Sequence, residues 1–415
     1  VRKLVFVIPD MSWLYDYKEQ FSLGMMYLST VLKDIGWDVQ IYDTNINVAG
    51  EIPEADVYGF SAVQHTYKDC ISLAIIINKI YPDSKFIVGG PHATTVPEVF
   101  KDVFDSVFIG EAEDTIMEYA WEFEEGKTKK IYRTHKDVDL DSIYPDRNLV
   151  TEDYIRTKSI FAKGVSYDIN GCTSIMFSRG CPYRCTFCSI ASLYKAKLRL
   201  KSIDLIVEEI RSVKRFFNIQ QFRVQDDTFT IKKSYLLDLC NELEKLDIFY
   251  RASTRVDHVD EEIVDALARS GCKEIGIGVE VVDDDVLKKL RKGVTVKQIE
   301  DAIVLFKKYK IETRCFFMIG LPFDTYDTVK ADIDFMERNN IQHIATGNYV
   351  AFPGTEMYIN QEKFNIKAVR KDACLNINSH LKLEPNILRY DMSEKEHIEI
   401  MKVYYDYSLK KGFIH

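Results

Sequence analysis

No apolar run in this sequence approaches the roughly 20 residues that a helix needs to span a bilayer; the longest stretches, such as 73–77, are far shorter. The basic start also lacks the apolar core that makes an export signal, so a cytoplasmic protein with no membrane partner is expected. A basic stripe is missing too. Against 64 Asp and Glu stand 55 Lys and Arg, interspersed for a net charge of -9, which leaves no surface suited to phosphate backbones and no expected nucleic-acid partner. Internal repeats and low-complexity tracts are lacking. The nine cysteines are an odd number, and Cys70, Cys240, Cys272, Cys315 and Cys374 lie far apart, which argues for reduced core thiols rather than a disulfide framework.

What is present is enough apolar sequence, 46% of 415 residues, for two or three domains. Apolar runs at 3–8, 38–42, 57–61, 85–88 and 106–109 alternate with helical periodicity at 23–34, 67–80 and 113–124. That alternation predicts an α/β, doubly wound (Rossmann-like) domain over 1–135. Residues 136–171 hold no sustained period and read as a linker. Six further strand runs, at 173–178, 221–225, 249–254, 274–279, 312–319 and 343–349, predict a partial (β/α)6 barrel over 172–350, with functional groups at the strand ends. A small, mainly helical region is expected over 351–415.

Directly after the first barrel run comes Ser178-Arg179-Gly180-Cys181-Pro182-Tyr183-Arg184-Cys185-Thr186-Phe187-Cys188, with three thiols inside eight residues. Three thiolates on a four-iron cluster leave one iron open to substrate, whereas four would close it for electron transfer. Zinc and three unrelated core thiols are the competing readings. Zinc sites come as paired Cys-x-x-Cys units or include histidine, and no His lies between Cys172 and His258. Cys172 precedes the strand and reads as structural rather than as a fourth ligand.

With this loop at this place, 172–350 resembles the radical S-adenosylmethionine (SAM) superfamily. The resemblance implies a 4Fe-4S cluster on Cys181, Cys185 and Cys188, SAM chelated to the open iron, and reductive cleavage to a 5'-deoxyadenosyl radical. It also implies that Phe187 packs beside adenine and that a polar acceptor at the second strand end, Asp226, meets the methionyl amine. Asp227 reads equally as a ligand or as a helix cap. Arg255 suits the methionyl carboxylate or an ion pair with Asp257; Glu280, after Gly276-Ile277-Gly278-Val279, suits a cofactor contact or a salt bridge. Met318 and Gly320 stand in the run Phe316-Phe317-Met318-Ile319-Gly320-Leu321-Pro322, which resembles the family's adenine-contacting strand and turn.

The first domain has no Gly-x-Gly-x-x-Gly after its first strand and no phosphate loop. Its strand-end loops are Pro9-Asp10-Met11-Ser12, Ser61-Ala62-Val63-Gln64-His65-Thr66, Gly89-Gly90-Pro91-His92 and Gly110-Glu111-Ala112-Glu113. Ahead of a radical cluster motif, these resemble the cobalamin-binding domain of cobalamin-dependent radical SAM enzymes. Ser61, Val63, Gln64, His65, Gly89, Gly90, Pro91, His92 and Glu111 are then the expected corrin contacts. Asp-x-His-x-x-Gly is absent, so cobalt is expected without that histidine; His65 reads as a hydrogen-bonding group or, less favourably, as a cobalt ligand.

The resemblance therefore implies a methyltransferase acting through methylcobalamin on a substrate carbon radical, with a low-potential donor such as flavodoxin or ferredoxin. A peptide or protein side chain and a small natural product both suit as substrate. Rearrangement, cyclisation or hydroxylation with the same cofactors, a domain that has lost cobalamin, and a mere carrier module are the rival readings. Methylthiotransfer is disfavoured because Cys70 alone cannot supply a second cluster's ligands. The stretch from Phe352 to Tyr358 resembles the segment that closes the active cavity in relatives.

Overall fold

The computed structural model describes residues 1–11, 22–47, 52–149, 171–370 and 383–412. Ser12, Cys374 and the 150–170 part of the expected linker lie outside the described residues. The chain divides into two compact units, Val1–Thr157 and Lys158–His415.

In the first unit, strands β1 (Lys3–Ile8), β2 (Asp38–Asp43), β3 (Val57–Ser61), β4 (Lys85–Gly89), β5 (Ser106–Ile109) and β6 (Ile131–Arg133) form one parallel sheet in the order β2-β1-β3-β4-β5-β6. Strand β1 is apolar and buried from Leu4 to Ile8 because both its faces are covered. Leu4, Phe6 and Ile8 pack with Met25, Met26 and Leu32 of α1 (Leu23–Asp34) and with Ile116 and Tyr119. Val5 and Val7 pack instead with Cys70, Ala74 and Ile77 of α2 (Tyr67–Ile80). Helices α3 (Pro91–Thr95) and α4 (Glu113–Glu124), the latter carrying Ile116 and Tyr119, follow β4 and β5. Strand β6 was not expected; three residues are too few to show a period, and its place is fixed by the stacking of Tyr132 on Phe108 at 5.0 Å. The strand order reverses beside β1, so the crevice for a ligand lies outside the carboxyl ends of β1 and β3.

In the second unit, β7 (Cys172–Ile175), β8 (Gln221–Val224), β9 (Phe249–Thr254), β10 (Cys272–Glu280), β11 (Glu312–Ile319) and β12 (His343–Asn348) pair in sequence order, all parallel. This is the expected open barrel, with helices between strands. The run at 173–178 is split. After Ile175 the chain leaves the sheet, and Ser178–Arg179 pairs antiparallel with Arg199–Leu200. Cys70, Cys240, Cys272 and Cys315 are all buried, as core thiols should be.

The end of the chain holds helix Glu394–Lys411, opened by a Ser393–Glu396 capping box and packed on Tyr326–Arg338, together with an antiparallel pair, Ile366–Val369 with Ile387–Arg389. The pair is an addition to the mainly helical expectation. Among the described residues no helix is long and apolar enough to cross a membrane.

Candidate active site

The antiparallel ribbon at Ser178–Arg179 and Arg199–Leu200 takes the chain off the end of β7 and returns it, so the three cysteines share one loop. Cys181, Cys185 and Cys188 are half-buried. The Cys181 sulfur lies 3.7 Å from the Thr228 hydroxyl, and the Cys188 amide donates to the Cys185 carbonyl at 3.1 Å. Burial pushes the Cys188 thiol up to about 12 and raises that of Cys185, which Lys292 and Arg255 partly counter. Thiols in that setting give up their protons when a metal takes them as ligands. Among the described residues no three His, Cys, Asp or Glu side chains converge where a single metal ion would sit. The donor set fits an iron–sulfur cluster in kind: three thiols lie within eight residues of one loop, with no histidine among them.

The end of β8 supports this loop from below. Asp226 is buried, accepting from the Phe177 amide at 2.8 Å and the Ser178 hydroxyl at 2.6 Å, and burial pushes its carboxyl up to about 7. Asp227 accepts from the Gly180 amide at 3.1 Å; burial pushes it up to about 6. Both carboxylates therefore hold the backbone that leads into Cys181.

Arg255 and Glu280 meet through Lys292, a residue the sequence gave no reason to single out. The Lys292 ammonium donates to Glu280 at 2.6 Å and lies 5.9 Å over the Phe187 ring, while its carbonyl accepts from Arg255. Both partners of the Glu280–Lys292 pair are buried. Glu280 reaches Lys292 because β10 bulges between Gly278 and Glu280, putting Glu280 at φ 66. A Cβ on Gly278 would collide with both the Glu280 carboxylate and the Lys292 ammonium, so the close approach that this glycine permits is that of the ion pair.

Arg255 forms a two-pronged pair with Asp257 at 3.0 and 2.9 Å and stacks 3.7 Å from the Tyr183 ring centre. Thr186 bonds to Leu290 and accepts from the Met357 amide at 3.1 Å, tying 352–358 to the cluster loop. Phe187, Arg255 and Glu280 are thus gathered at Lys292. Met318 is half-buried on β11, and the Gly320 amide is held by Asp324 at 2.8 Å.

In the first unit, Ser61 and Gly89 are in register, the Ala62 amide donates to the Gly89 carbonyl at 2.8 Å, and the His92 amide to the Ala62 carbonyl at 2.9 Å. The Gly110 amide donates to Thr94 at 3.0 Å, which links Gly110-Glu111 to the same set. Gly90 has φ 94, and a Cβ there would meet Ala62 O and Ser61 Oγ at 2.9 Å each. The strand ends so joined form a shelf at which Ser61, Val63, His65, Gly89, Gly90 and Glu111 are half-buried and Pro91 is exposed. This fits a large, flat, amide-rimmed ligand such as a corrin. Gln64 and His92 are buried. His92 sits under the shelf, 4.2 Å from the Tyr67 ring and edge-on to Phe100, and burial lowers it to about 4; burial likewise lowers His65 to about 4.

Comparison with known proteins finds likeness to two families in the chain. The model of the radical SAM superfamily matches residues 175–336, and that of the B12 binding domain matches 17–120. An uncharacterized methyltransferase of Pyrococcus horikoshii is 28% identical over 360 residues, covering 81% of this chain and 77% of the relative. The anaerobic magnesium-protoporphyrin IX monomethyl ester cyclase of Rubrivivax gelatinosus is 24% identical over 368 residues, covering 80% and 64%. The structure of the radical SAM methyltransferase TsrM from Kitasatospora setae, with cobalamin and a [4Fe-4S] cluster bound, superposes with a TM-score of 0.68 at 18% identity, covering 86% of this chain and 74% of that one.

Proposed function

We propose that this chain, a cobalamin-dependent radical SAM enzyme by its paired B12-binding and radical SAM domains, is a methyltransferase acting on an unactivated carbon of its substrate. One observation carries the reading: a single chain joins a three-cysteine loop suited to an open-iron cluster with a strand-end shelf suited to a corrin. Methyltransferase is also the activity named for the Pyrococcus relative and the Kitasatospora neighbour.

When bound, the cluster and SAM supply a 5'-deoxyadenosyl radical, and cobalamin supplies a transferable methyl group. Cys181, Cys185 and Cys188 hold the cluster, and Asp226 and Asp227 fix the backbone entering the loop. Phe187, Glu280, Met318 and Gly320 bound the SAM site, with Glu280 aimed by Lys292, whereas Asp226, Asp227 and Arg255, also expected there, are engaged with the loop backbone and with Asp257. Ser61, Val63, Gln64, His65, the Gly89-Gly90-Pro91-His92 turn and Glu111 form the corrin site. The substrate is a peptide or protein side chain or a small natural product. A donor of the flavodoxin or ferredoxin class supplies electrons in the cytoplasm, whose reducing conditions keep the thiols free.

The test is anaerobic turnover of reduced, reconstituted protein with SAM, cobalamin and candidate substrates, followed by mass spectrometry. S-adenosylhomocysteine should accumulate together with 5'-deoxyadenosine and a product heavier by one methylene. The cyclase relative motivates a second reading, ring formation with the same cofactors. Under that reading, 5'-deoxyadenosine appears with a product of altered hydrogen count and no S-adenosylhomocysteine, an outcome that sinks methyl transfer.

A further inference from the structure

Arg255 is 5% exposed, and its guanidinium is engaged on every side. One nitrogen, Nη1, lies 3.5 Å from the Cys185 sulfur; Nε and Nη2 clamp Asp257; Nη2 also donates to the Lys292 carbonyl. The ring of Tyr183, which lies between the first two cysteines, stacks on its face at 3.7 Å, and the Tyr183 hydroxyl bonds to His258. A planar fork held by a carboxylate, a carbonyl and an aromatic face has little freedom, so the N–H aimed at sulfur is set in advance. A SAM carboxylate would have to displace Asp257 to gain the same two-pronged grip.

We propose that Arg255 is a positioning residue for the cluster, donating a charge-assisted N–H···S bond to Cys185 that raises the cluster's reduction potential. The physical basis is that reduction adds negative charge to the iron–sulfur core, and a buried cation bonded to a ligand sulfur stabilises the more negative state. Asp257 acts on the same potential with opposite sign: it fixes the fork and offsets part of its charge. The inference rests on a cluster bound to Cys181, Cys185 and Cys188, and not on methyl transfer. The readout therefore omits substrate and cobalamin, and failure here leaves the reaction assignment intact.

The experiment is a redox titration of the reconstituted full chain, followed by electron paramagnetic resonance, with iron and sulfide content measured on every sample. Arg255→Gln should load the same iron and titrate at a lower potential. At fixed ambient potential near the midpoint, its ratio of reduced to oxidised cluster should fall about tenfold, equivalent to about 59 mV for one electron. Arg255→Lys, which keeps the charge but loses the fork, should fall between the two. Asp257→Asn should move the midpoint upward. A merely structural role predicts iron loss or shifts in one direction for both positions. The proposal is overturned if fully loaded Arg255→Gln titrates with the wild type. Where Arg255→Gln fails to load, Asp257→Asn decides: an upward shift supports the tuning role, and an unmoved or lowered midpoint overturns it.

Discussion

Replacing Asp226 separates what its carboxylate does by accepting hydrogen bonds from what it costs by being buried. Asp226→Ala removes the acceptor of both the Phe177 amide and the Ser178 hydroxyl, at 2.8 and 2.6 Å, and leaves two buried donors without partners. At about 1–3 kcal/mol for each, the expected destabilisation is about 2–6 kcal/mol. Because these donors flank the departure from β7 to the cluster loop, cluster loading should fall as well. Asp226→Asn is different. Its amide oxygen still accepts from Phe177, the Ser178 hydroxyl can turn to accept from the amide nitrogen, and no charge is buried.

The wild-type carboxyl is raised by burial from 3.8 to about 7, so in that window the folded chain holds a proton that the unfolded chain has released. Its contribution to stability is full below the ordinary value and is lost as pH rises toward the raised one. The Asn variant has no such loss. Its stability relative to wild type should therefore grow between about pH 5 and about pH 8, by at most about 3 kcal/mol. Thermal unfolding by circular dichroism reads both units. Asp226→Ala matching wild type in both stability and iron content would refute this reasoning.

Alanine at Cys181, Cys185 or Cys188 should abolish iron-dependent visible absorbance and 5'-deoxyadenosine formation while cobalamin still binds; an active single variant would contradict the ligand assignment. Gly90→Val places a β-branched side chain at φ 94, at a cost of about 1–3 kcal/mol, and against Ala62 and Ser61. Spectroscopic titration should show cobalamin affinity down by tenfold or more at unchanged iron content. Lys292→Met strands the buried Glu280 carboxylate and should destabilise the second unit by about 3–5 kcal/mol. Adding Glu280→Gln should recover much of that loss in urea unfolding, and a double variant no better than the single would count against the pairing.

The sequence made the strands and their ends legible because period and loop composition are local. The triplet, the Asp226-Asp227 pair and the Gly89-Gly90 turn could all be located from their neighbours in the chain. Lys292 could not, since its partners come from β10, from the arginine after β9 and from the cluster loop, and nothing in Arg291-Lys292-Gly293 announces them. The bulge that turns Glu280 toward it is equally silent, because Gly278-Val279-Glu280 reads as continued alternation. Tyr183 was open to discovery: an aromatic residue between two cluster cysteines is a natural platform for a nearby cation. Strand β6 was too short to register.

The two-residue ribbon at Ser178–Arg179 and Arg199–Leu200, with the Lys201 amide on the Phe177 carbonyl, has a consequence for the order of assembly. It closes the cysteine loop with protein hydrogen bonds, so the entropy of bringing the loop's ends together is met before any iron–sulfur bond forms. Cluster binding is then expected to order only the stretch from Cys181 to Cys188, so iron lost on chelation should be regained on reconstitution without a denaturation step.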